Sequence, residues 1–353
     1  MYIYLYNYIV LLLCGMLLLN HGKKDNKCKL LFCTIATMQW VVLSGLRNIS
    51  VGADTQQYYD GHFYPDLFKG WSDIVPNLIG WLKGREVEEP GYFALQIFFQ
   101  TFSDNYQMYL VFIAALFTIP LGCWIYKHST DPMISFVIYF SLFSPFFAIT
   151  GIAQTVATVV VVFGGYKYLV NRQFIPFIIV CLIGATFHRS ALFYLAIYFV
   201  AWIPIGKMYY VAAFSVFVGL MAFKELFIKV VISLTGYTNF AEQYSSGTYN
   251  FTIMYVGICA LVAWRSKKII GKSKEIQVWV NAVFLGLMLV PLTFINSTAM
   301  RGVQYFSVYL MLLIPKAIDT FEYKDKQLVR WVMSFALGVM FFKNMPQYKF
   351  FWQ

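Results

Sequence analysis

The segment from Tyr106 to Tyr126 reads YQMYLVFIAALFTIPLGCWIY and contains no charged residue. A helix needs about 20 apolar residues to cross roughly 30 Å of hydrocarbon, and this segment has that length. Backbone polar groups must find their partners within the segment at that depth, which favours a helix. The segment therefore predicts a transmembrane helix.

Comparable apolar segments recur along the whole chain. They predict an all-α, polytopic integral membrane protein with about 12 transmembrane helices. The predicted spans lie near residues 2–19, 30–47, 106–126, 133–149, 151–169, 174–188, 190–206, 208–223, 250–264, 276–295, 302–318 and 328–343. We expect the first span to be retained rather than cleaved, because no basic region precedes it and no small-residue cleavage site follows it.

The composition supports a single membrane domain over residues 1–353. Hydrophobic residues make up 60% of the chain and charged residues only 12%, with a mean hydropathy of +0.64. That charged share is about half of the usual value for a soluble domain. The cysteines lie mostly in apolar runs without a CxxC pair, and the sequence contains no DxD, P-loop, GxSxG or HExxH motif. We therefore expect neither a metal site nor a cofactor.

The net charge of +11 indicates the orientation of the chain rather than a nucleic-acid partner. Basic residues concentrate in short connections between apolar runs, as they do on the cytoplasmic side of membrane proteins. These connections are residues 21–29, 126–132, 167–172, 265–274 and 322–326. They all face the cytoplasm if the segment near 92–103 is a re-entrant or interfacial helix. The loops 48–90 and 224–250 and both termini then lie on the outer face.

The first polar cluster follows the second predicted span. Arg47 ends the span, Gly52 can supply a tight turn, and Asp54 or Thr55 can cap a helix that presents Tyr58. One interpretation is structural, with Arg47 reaching to lipid phosphate and Asp54 acting only as a cap. The other is that the Arg47 guanidinium forks onto a phosphate oxygen of a substrate.

Five motifs in this order resemble the EpsG family of bacterial membrane proteins, within the Wzy class of polysaccharide polymerases. They are Arg47 with Val51-Gly52-Ala53-Asp54-Thr55 and Tyr58; Glu89-Pro90-Gly91-Tyr92; Thr150 to Ala157; Phe187-His188-Arg189-Ser190-Ala191-Leu192; and Arg301 with Tyr305-Phe306. In the third motif the family usually has Arg before Gln. Here Ala153 stands in that place and only Gln154 remains.

The resemblance implies a glycosyltransferase that uses oligosaccharide repeat units on a polyprenyl diphosphate at the outer face of the bacterial cytoplasmic (inner) membrane. Arg47 and Arg301 would bind the diphosphate, and His188 or Asp54 would be the base or orient it. The other predicted substrate-binding residues are Arg189, Tyr58, Gln154, Thr55, Glu89, Tyr305 and Tyr244. A structural histidine at position 188 and a loop arginine at position 301 remain alternatives.

Three alternative functions share features with this one. An O-antigen-ligase-like transferase would use the same donor with a different acceptor. A flippase for lipid-linked oligosaccharide should carry charged residues deep inside several spans, whereas here the polar groups gather at one edge. A membrane acyltransferase would need its histidine on the opposite side. The expected partners are the lipid-linked oligosaccharide, membrane lipids and a chain-length-regulating copolymerase, with no nucleic acid.

Overall fold

The structure is a computed structural model that describes residues 2–19, 26–145, 147, 149–226, 229, 249–271, 273–294, 299–343 and 347–353. Within these ranges the chain is helical and contains no strand. A single isolated bridge pairs Arg47 with Phe350 in antiparallel fashion. The α-helices of the first half are Tyr2–Leu19, Asn26–Gly45, Thr55–Tyr58, Tyr64–Asp66, Ile74–Leu82, Pro90–Gln100, Tyr106–His128, Pro132–Ile138, Ile152–Thr158 and Tyr166–Val170.

The second half is built in the same way. Its α-helices are Phe174–Phe187, Ala196–Val200, Lys207–Ala222, Tyr249–Ile270, Lys274–Leu289, Ala299–Ser307, Leu310–Ile318 and Tyr323–Lys343. Along the whole described chain, π-helical turns occupy Tyr59–Phe63, Tyr139–Phe143 and Val159–Gly164, and 3₁₀ turns occupy Trp71–Asp73, Arg189–Leu195 and Val290–Phe294.

Five helical segments of the described chain are long and apolar enough to cross a membrane. They are Tyr2–Leu19, Asn26–Gly45, Tyr106–His128, Ile152–Val170 and Lys274–Phe294. Shorter apolar helices lie between them. The protein is therefore a multi-pass helical membrane protein, as predicted, and the total of about 12 crossings stays a prediction.

The predicted span at 133–149 is too long at its end. The helix that begins at Pro132 passes into the π turn Tyr139–Phe143 and stops before Pro145. Proline lacks a backbone N–H and disfavours the helical conformation of the residue before it, which favours a helix end at this position. Hydropathy alone does not reveal this end, because the apolar run continues past it.

Side-chain contacts identify one end of the bundle, which we call the lower end. Lys29 Nζ donates to the Ser129 carbonyl oxygen at 2.9 Å, so the start of one helix meets the end of another. The His128 and Tyr166 rings are 4.7 Å apart at the same level. Tyr198 donates to the Arg172 carbonyl oxygen at 2.7 Å. Residues of the predicted cytoplasmic connections thus gather at this end.

The opposite end, which we call the upper end, collects the predicted outer segments. Gln107 Nε2 donates to the Gly45 carbonyl oxygen at 2.5 Å, which sets the helices Asn26–Gly45 and Tyr106–His128 antiparallel. The Asn48 N–H donates to the Lys349 carbonyl oxygen at 2.8 Å, so the C-terminal segment lies here too. This end holds the candidate site described below.

The helix Pro90–Gln100 belongs to the upper end. Its 11 residues span only about 16 Å at 1.5 Å per residue, about half of a bilayer core. It packs closely on the end of the helix Phe174–Phe187, because a Cβ on Gly91 would overlap Thr186. Its length fits the predicted re-entrant or interfacial helix near 92–103.

Candidate functional site

Arg47 is the largest charged side chain buried at the upper end. It is 0% exposed and lies two residues beyond the end of the helix Asn26–Gly45. Its Nη1 donates to the carbonyl oxygen and, at 3.4 Å, to the hydroxyl of Ser44. Its Nε and Nη2 are buried and have no hydrogen-bond partner among the described residues. Two donors of a buried guanidinium are therefore available to a ligand.

The surroundings of Arg47 are aromatic rather than acidic. Tyrosine hydroxyls lie within electrostatic range of it, and they belong to Tyr4, Tyr92, Tyr106 and Tyr348. No described carboxylate lies within 4.0 Å of the guanidinium. A buried charge without an opposite charge or full hydrogen bonding is costly, and proteins rarely retain one without a reason.

Arg330 provides a contrast within the same chain. It is 4% exposed, and its Nε lies 2.9 Å from Asp131 Oδ2 at the lower end. This arginine is paired with a carboxylate, as buried charges usually are. Arg47 and Arg330 are thus equally buried but differ in partner. Arg47 has the arrangement of a binding group, and Arg330 that of a structural ion pair.

The turn after Arg47 is fixed by main-chain contacts. Gly52 has φ of +95°, a left-handed conformation that other residues rarely adopt, and a Cβ there would overlap the Ile149 carbonyl oxygen. Thr55 is 0% exposed and its hydroxyl donates to the Val51 carbonyl oxygen at 2.7 Å. The predicted substrate ligand Thr55 therefore holds the turn together from inside.

Asp54 connects this turn to the third motif. Its Oδ2 accepts a hydrogen bond from the Gly151 N–H at 3.1 Å, across 97 positions of sequence. The predicted cap function is not present, because the Asp54 side chain makes no hydrogen bond to the first turn of the helix Thr55–Tyr58. The carboxylate instead fixes the start of the helix Ile152–Thr158 against the turn.

Arg301 and His188 meet on the other side of the upper end. Arg301 Nη1 lies 3.2 Å from His188 Nε2. The other ring nitrogen, Nδ1, lies 2.6 Å from the Ser190 hydroxyl and 3.2 Å from its N–H. Ser190 in turn is 3.0 Å from the Tyr305 hydroxyl. Both ring nitrogens of His188 thus have partners, and four predicted or adjacent residues form one network.

Gln154 holds the helix that carries Arg301. Its Nε2 donates to the Arg301 carbonyl oxygen at 3.1 Å and to Gln304 Oε1 at 2.8 Å. Gln154 is 4% exposed, so it holds the backbone of Arg301 in place from the protein interior. The glutamine of the third motif therefore belongs to the site, although its neighbour Ala153 offers no charge.

Tyr58 lies between the two arginine regions. Burial raises the pKa of its hydroxyl above the usual range; Glu89 and Asp54 also raise this pKa, whereas the Ala153 backbone and Arg301 lower it. Three charged side chains therefore influence the pKa of this one tyrosine, namely Glu89, Asp54 and Arg301. The Tyr58 ring also packs edge-on against the Tyr92 ring at 5.4 Å, and Tyr92 is one of the tyrosines around Arg47.

Two predicted residues stand apart from this arrangement. Arg189 is exposed, and its guanidinium lies over the Trp81 ring at 5.6 Å. Tyr244 lies outside the described residues, with most of the loop 224–250. The remaining predicted residues converge on the upper end.

The structure adds a buried polar cluster that the sequence reading missed. Gln96 Nε2 donates at 2.8 Å both to Glu88 Oε1 and to Asp66 Oδ2. Lys69 Nζ lies 2.8 Å from Asp66 Oδ1. His62 Nδ1 lies 3.0 Å from Glu88 Oε1. One sequence signal pointed to His62: it stands four residues after the predicted site residue Tyr58, a spacing that places both side chains on one side of a helical turn.

The charges in this cluster influence one another strongly. Burial raises the pKa of the Glu88 carboxyl to about 7, although the hydrogen bond from His62 lowers it. The hydrogen bond to Glu88 raises the pKa of the His62 ring, against the effect of burial. The two shifts belong to one coupled pair, which titrates as a unit. The described part of the chain contains no group of three or more His, Cys, Asp or Glu arranged to hold a metal ion.

Comparison with known proteins gives one similarity. The model of the EpsG family matches residues 30–352, nearly the whole chain. The match includes every predicted site residue from Arg47 to Tyr305. No curated protein and no solved structure matches the chain.

Proposed function

Since the chain belongs to the EpsG family, we propose that it is a membrane glycosyltransferase that polymerises oligosaccharide repeat units carried on a polyprenyl diphosphate. The observation that carries this proposal is the buried Arg47 guanidinium with two donors left over. A guanidinium fork matches the geometry of phosphate oxygens. A leaving diphosphate gains negative charge as its bond to the sugar breaks, and preorganised donors stabilise that charge.

The reaction we propose takes place at the outer face of the bacterial cytoplasmic membrane. The lower end carries Lys29, Lys127, Arg172 and Lys274, and such residues favour the cytoplasmic side. About 12 crossings with a non-crossing helix near 92–103 agree with this orientation. The upper end, with Arg47 and Arg301, then faces outward.

The proposed roles follow from the contacts at the upper end. Arg47 and Arg301 hold the diphosphate from two sides, and Gln154 fixes the helix of Arg301. A hydroxyl oxygen of the acceptor sugar bonds to the anomeric carbon of the donor. The bond from that carbon to the diphosphate breaks, and its electron pair leaves with the diphosphate. The acceptor hydroxyl loses its proton to a base, for which His188 and Asp54 are the candidates from the family motifs.

The remaining predicted residues have supporting roles in this proposal. Thr55 maintains the turn that carries Asp54, while Tyr58, Glu89 and Tyr305 line or support the region between the two arginines. Arg189 and Tyr244 would contact the sugar or lipid farther out. Membrane lipids and a chain-length-regulating copolymerase are the proposed partners.

A substitution of Arg47 in a deletion strain tests the proposal. Lipid-linked glycans are resolved by size, and their sidedness is measured. In the strain that carries Arg47→Met we expect single repeat units on the outer face and no long polymer, with the protein still inserted. Arg85→Met is the matched control, because Arg85 is an exposed arginine of the loop 48–90 and should leave polymer length unchanged.

The glycans of the plain deletion strain separate the competing functions. Single units on the outer face support a polymerase. Units confined to the inner face would indicate a flippase, and long polymer that remains on its lipid carrier would indicate a ligase. Normal polymer length with Arg47→Met would contradict the diphosphate role of this residue.

A further inference from the structure

His62 is a histidine with one ring nitrogen held and the other open. Its Nδ1 is fixed by Glu88, whose side chain is 8% exposed, whereas the His62 side chain itself is 34% exposed. No described residue is a partner of its Nε2. A carboxylate that holds one ring nitrogen sets the orientation of the imidazole and makes the other nitrogen more basic. The open nitrogen can therefore accept a proton from a bound molecule.

Buried polar side chains hold Glu88 in place. Gln96 Nε2 donates to Glu88 and to Asp66, and Asp66 is paired with Lys69. Gln96 is 0% exposed and Asp66 is 1% exposed. The arrangement is a chain of buried polar groups that ends in one partly exposed histidine. Such support keeps a reacting side chain within a narrow range of positions.

The position of His62 relates it to both arginines. Its ring centroid lies 5.3 Å from that of Tyr58 and 6.2 Å from that of Tyr92. Tyr58 is within electrostatic range of Arg301, and Tyr92 is within range of Arg47. His62 thus packs against two tyrosines, each of which lies within electrostatic range of one proposed diphosphate ligand.

The two other candidate bases already make contacts within the protein. Both ring nitrogens of His188 have partners, namely Arg301 and Ser190. Asp54 uses a carboxylate oxygen to accept from the Gly151 N–H. Of these three groups, His62 has a basic atom that is both oriented by a carboxylate and open to solvent.

We propose that His62 is the general base that deprotonates the acceptor sugar hydroxyl and that Glu88 is the residue that positions it. This inference rests on the proposed function. The His62 Nε2 takes the hydroxyl proton as the oxygen bonds to the anomeric carbon. The carbon–diphosphate bond breaks at the same centre, its electron pair leaves with the diphosphate, and His62 later releases the proton to water.

The charges that face His62 set its pKa and therefore the pH dependence of the reaction rate. Glu88 raises its pKa through a hydrogen bond, and the charges of Asp66 and Glu89 raise it further, while burial lowers it. Lys69 neutralises part of the Asp66 charge. The rate should rise with pH as His62 loses its proton, because only the neutral ring accepts one. Without the Glu88 carboxylate this rise should move to lower pH.

The test uses the purified full chain in liposomes with lipid-linked repeat units extracted from the deletion strain. The polymerisation rate is measured from pH 5 to pH 9 for the wild type, His62→Gln and Glu88→Gln. We expect His62→Gln to lower the rate by about 100-fold or more. It should also abolish the acidic limb of the pH profile, that is, the fall in rate at low pH. Glu88→Gln keeps the side-chain volume and should shift that limb to lower pH.

His128→Gln is the matched control, because His128 lies at the lower end and also faces a glutamate, Glu275, at 3.8 Å. It should leave both the rate and the pH profile unchanged.

A His62→Gln rate within a few-fold of the wild type, or an unshifted limb in Glu88→Gln, would overturn the inference while leaving the polymerase intact. Absence of polymer with the wild-type protein would instead overturn the proposed function, and the inference with it. If His62→Gln fails to fold, the shift in Glu88→Gln decides.

Discussion

Asp54 accepts a hydrogen bond from the backbone N–H of Gly151 at 3.1 Å and so joins two segments of the candidate site that lie far apart in sequence. The contact needs an acceptor oxygen but no negative charge. It fixes the turn that follows Arg47 against the helix that carries Gln154. A structural role and a catalytic role of Asp54 therefore make opposite predictions for the amide variant.

Asp54→Asn should keep polymerisation close to wild type, because the amide oxygen can still accept from Gly151. Asp54→Ala should lower both activity and the free energy of unfolding, the latter by about 1–3 kcal/mol, because the Gly151 N–H loses its partner. Polymer length in cells and thermal unfolding of the purified protein measure the two effects. If Asp54→Asn were as inactive as Asp54→Ala while unfolding like the wild type, the carboxylate itself would be the base.

The membrane helices were predictable because burial in lipid leaves the backbone few choices. The predicted span 2–19 coincides with the helix Tyr2–Leu19, and the uncharged segment 106–126 lies within the helix Tyr106–His128. The π turn at Tyr139–Phe143 was not predictable, because hydropathy does not distinguish it from an α-helical turn.

The candidate site was predictable only where charged or polar residues stand at the ends of apolar runs. Arg47, His188 and Arg301 stand out for that reason. The cluster around Glu88 was missed because a carboxylate in a long polar loop suggests solvent exposure. Its burial depends on Gln96, which lies eight residues away on the next helix and links Glu88 to Asp66.

The pair of Asp131 and Arg330 should contribute to stability rather than to activity. Asp131 faces the Arg330 guanidinium and also accepts from the Met133 N–H at 3.1 Å at the start of a helix. Asp131→Ala leaves a buried arginine without its carboxylate and should lower the free energy of unfolding by about 3–5 kcal/mol. Denaturation of the purified protein in detergent measures this loss.

Arg47→Met is the comparison for this prediction. Arg47 is just as buried but has no carboxylate partner among the described residues, so removal of its charge should not destabilise the protein and should raise the unfolding midpoint. The expected results are opposite in sign: Asp131→Ala lowers stability and keeps the specific activity of the folded protein, whereas Arg47→Met abolishes activity and raises stability. Equal losses of stability in both variants would contradict the distinction between a structural and a ligand-binding arginine.

The pair of His62 and Glu88 should make a contribution to stability that falls as the pH rises from about 5 to about 8. In the folded protein the pKa of Glu88 is about 7 rather than 4.5, and that of His62 is also raised. The folded state therefore keeps protons that the unfolded chain releases at lower pH, so its advantage is complete below pH 4.5 and lost as the pH passes 7. Thermal unfolding midpoints across this range measure the effect. Glu88→Gln removes the titrating carboxyl and the cause of the raised His62 pKa, so this falling contribution should be absent from its curve, whereas His128→Gln should retain it. A curve of unchanged slope in Glu88→Gln would show that other groups determine the pH dependence.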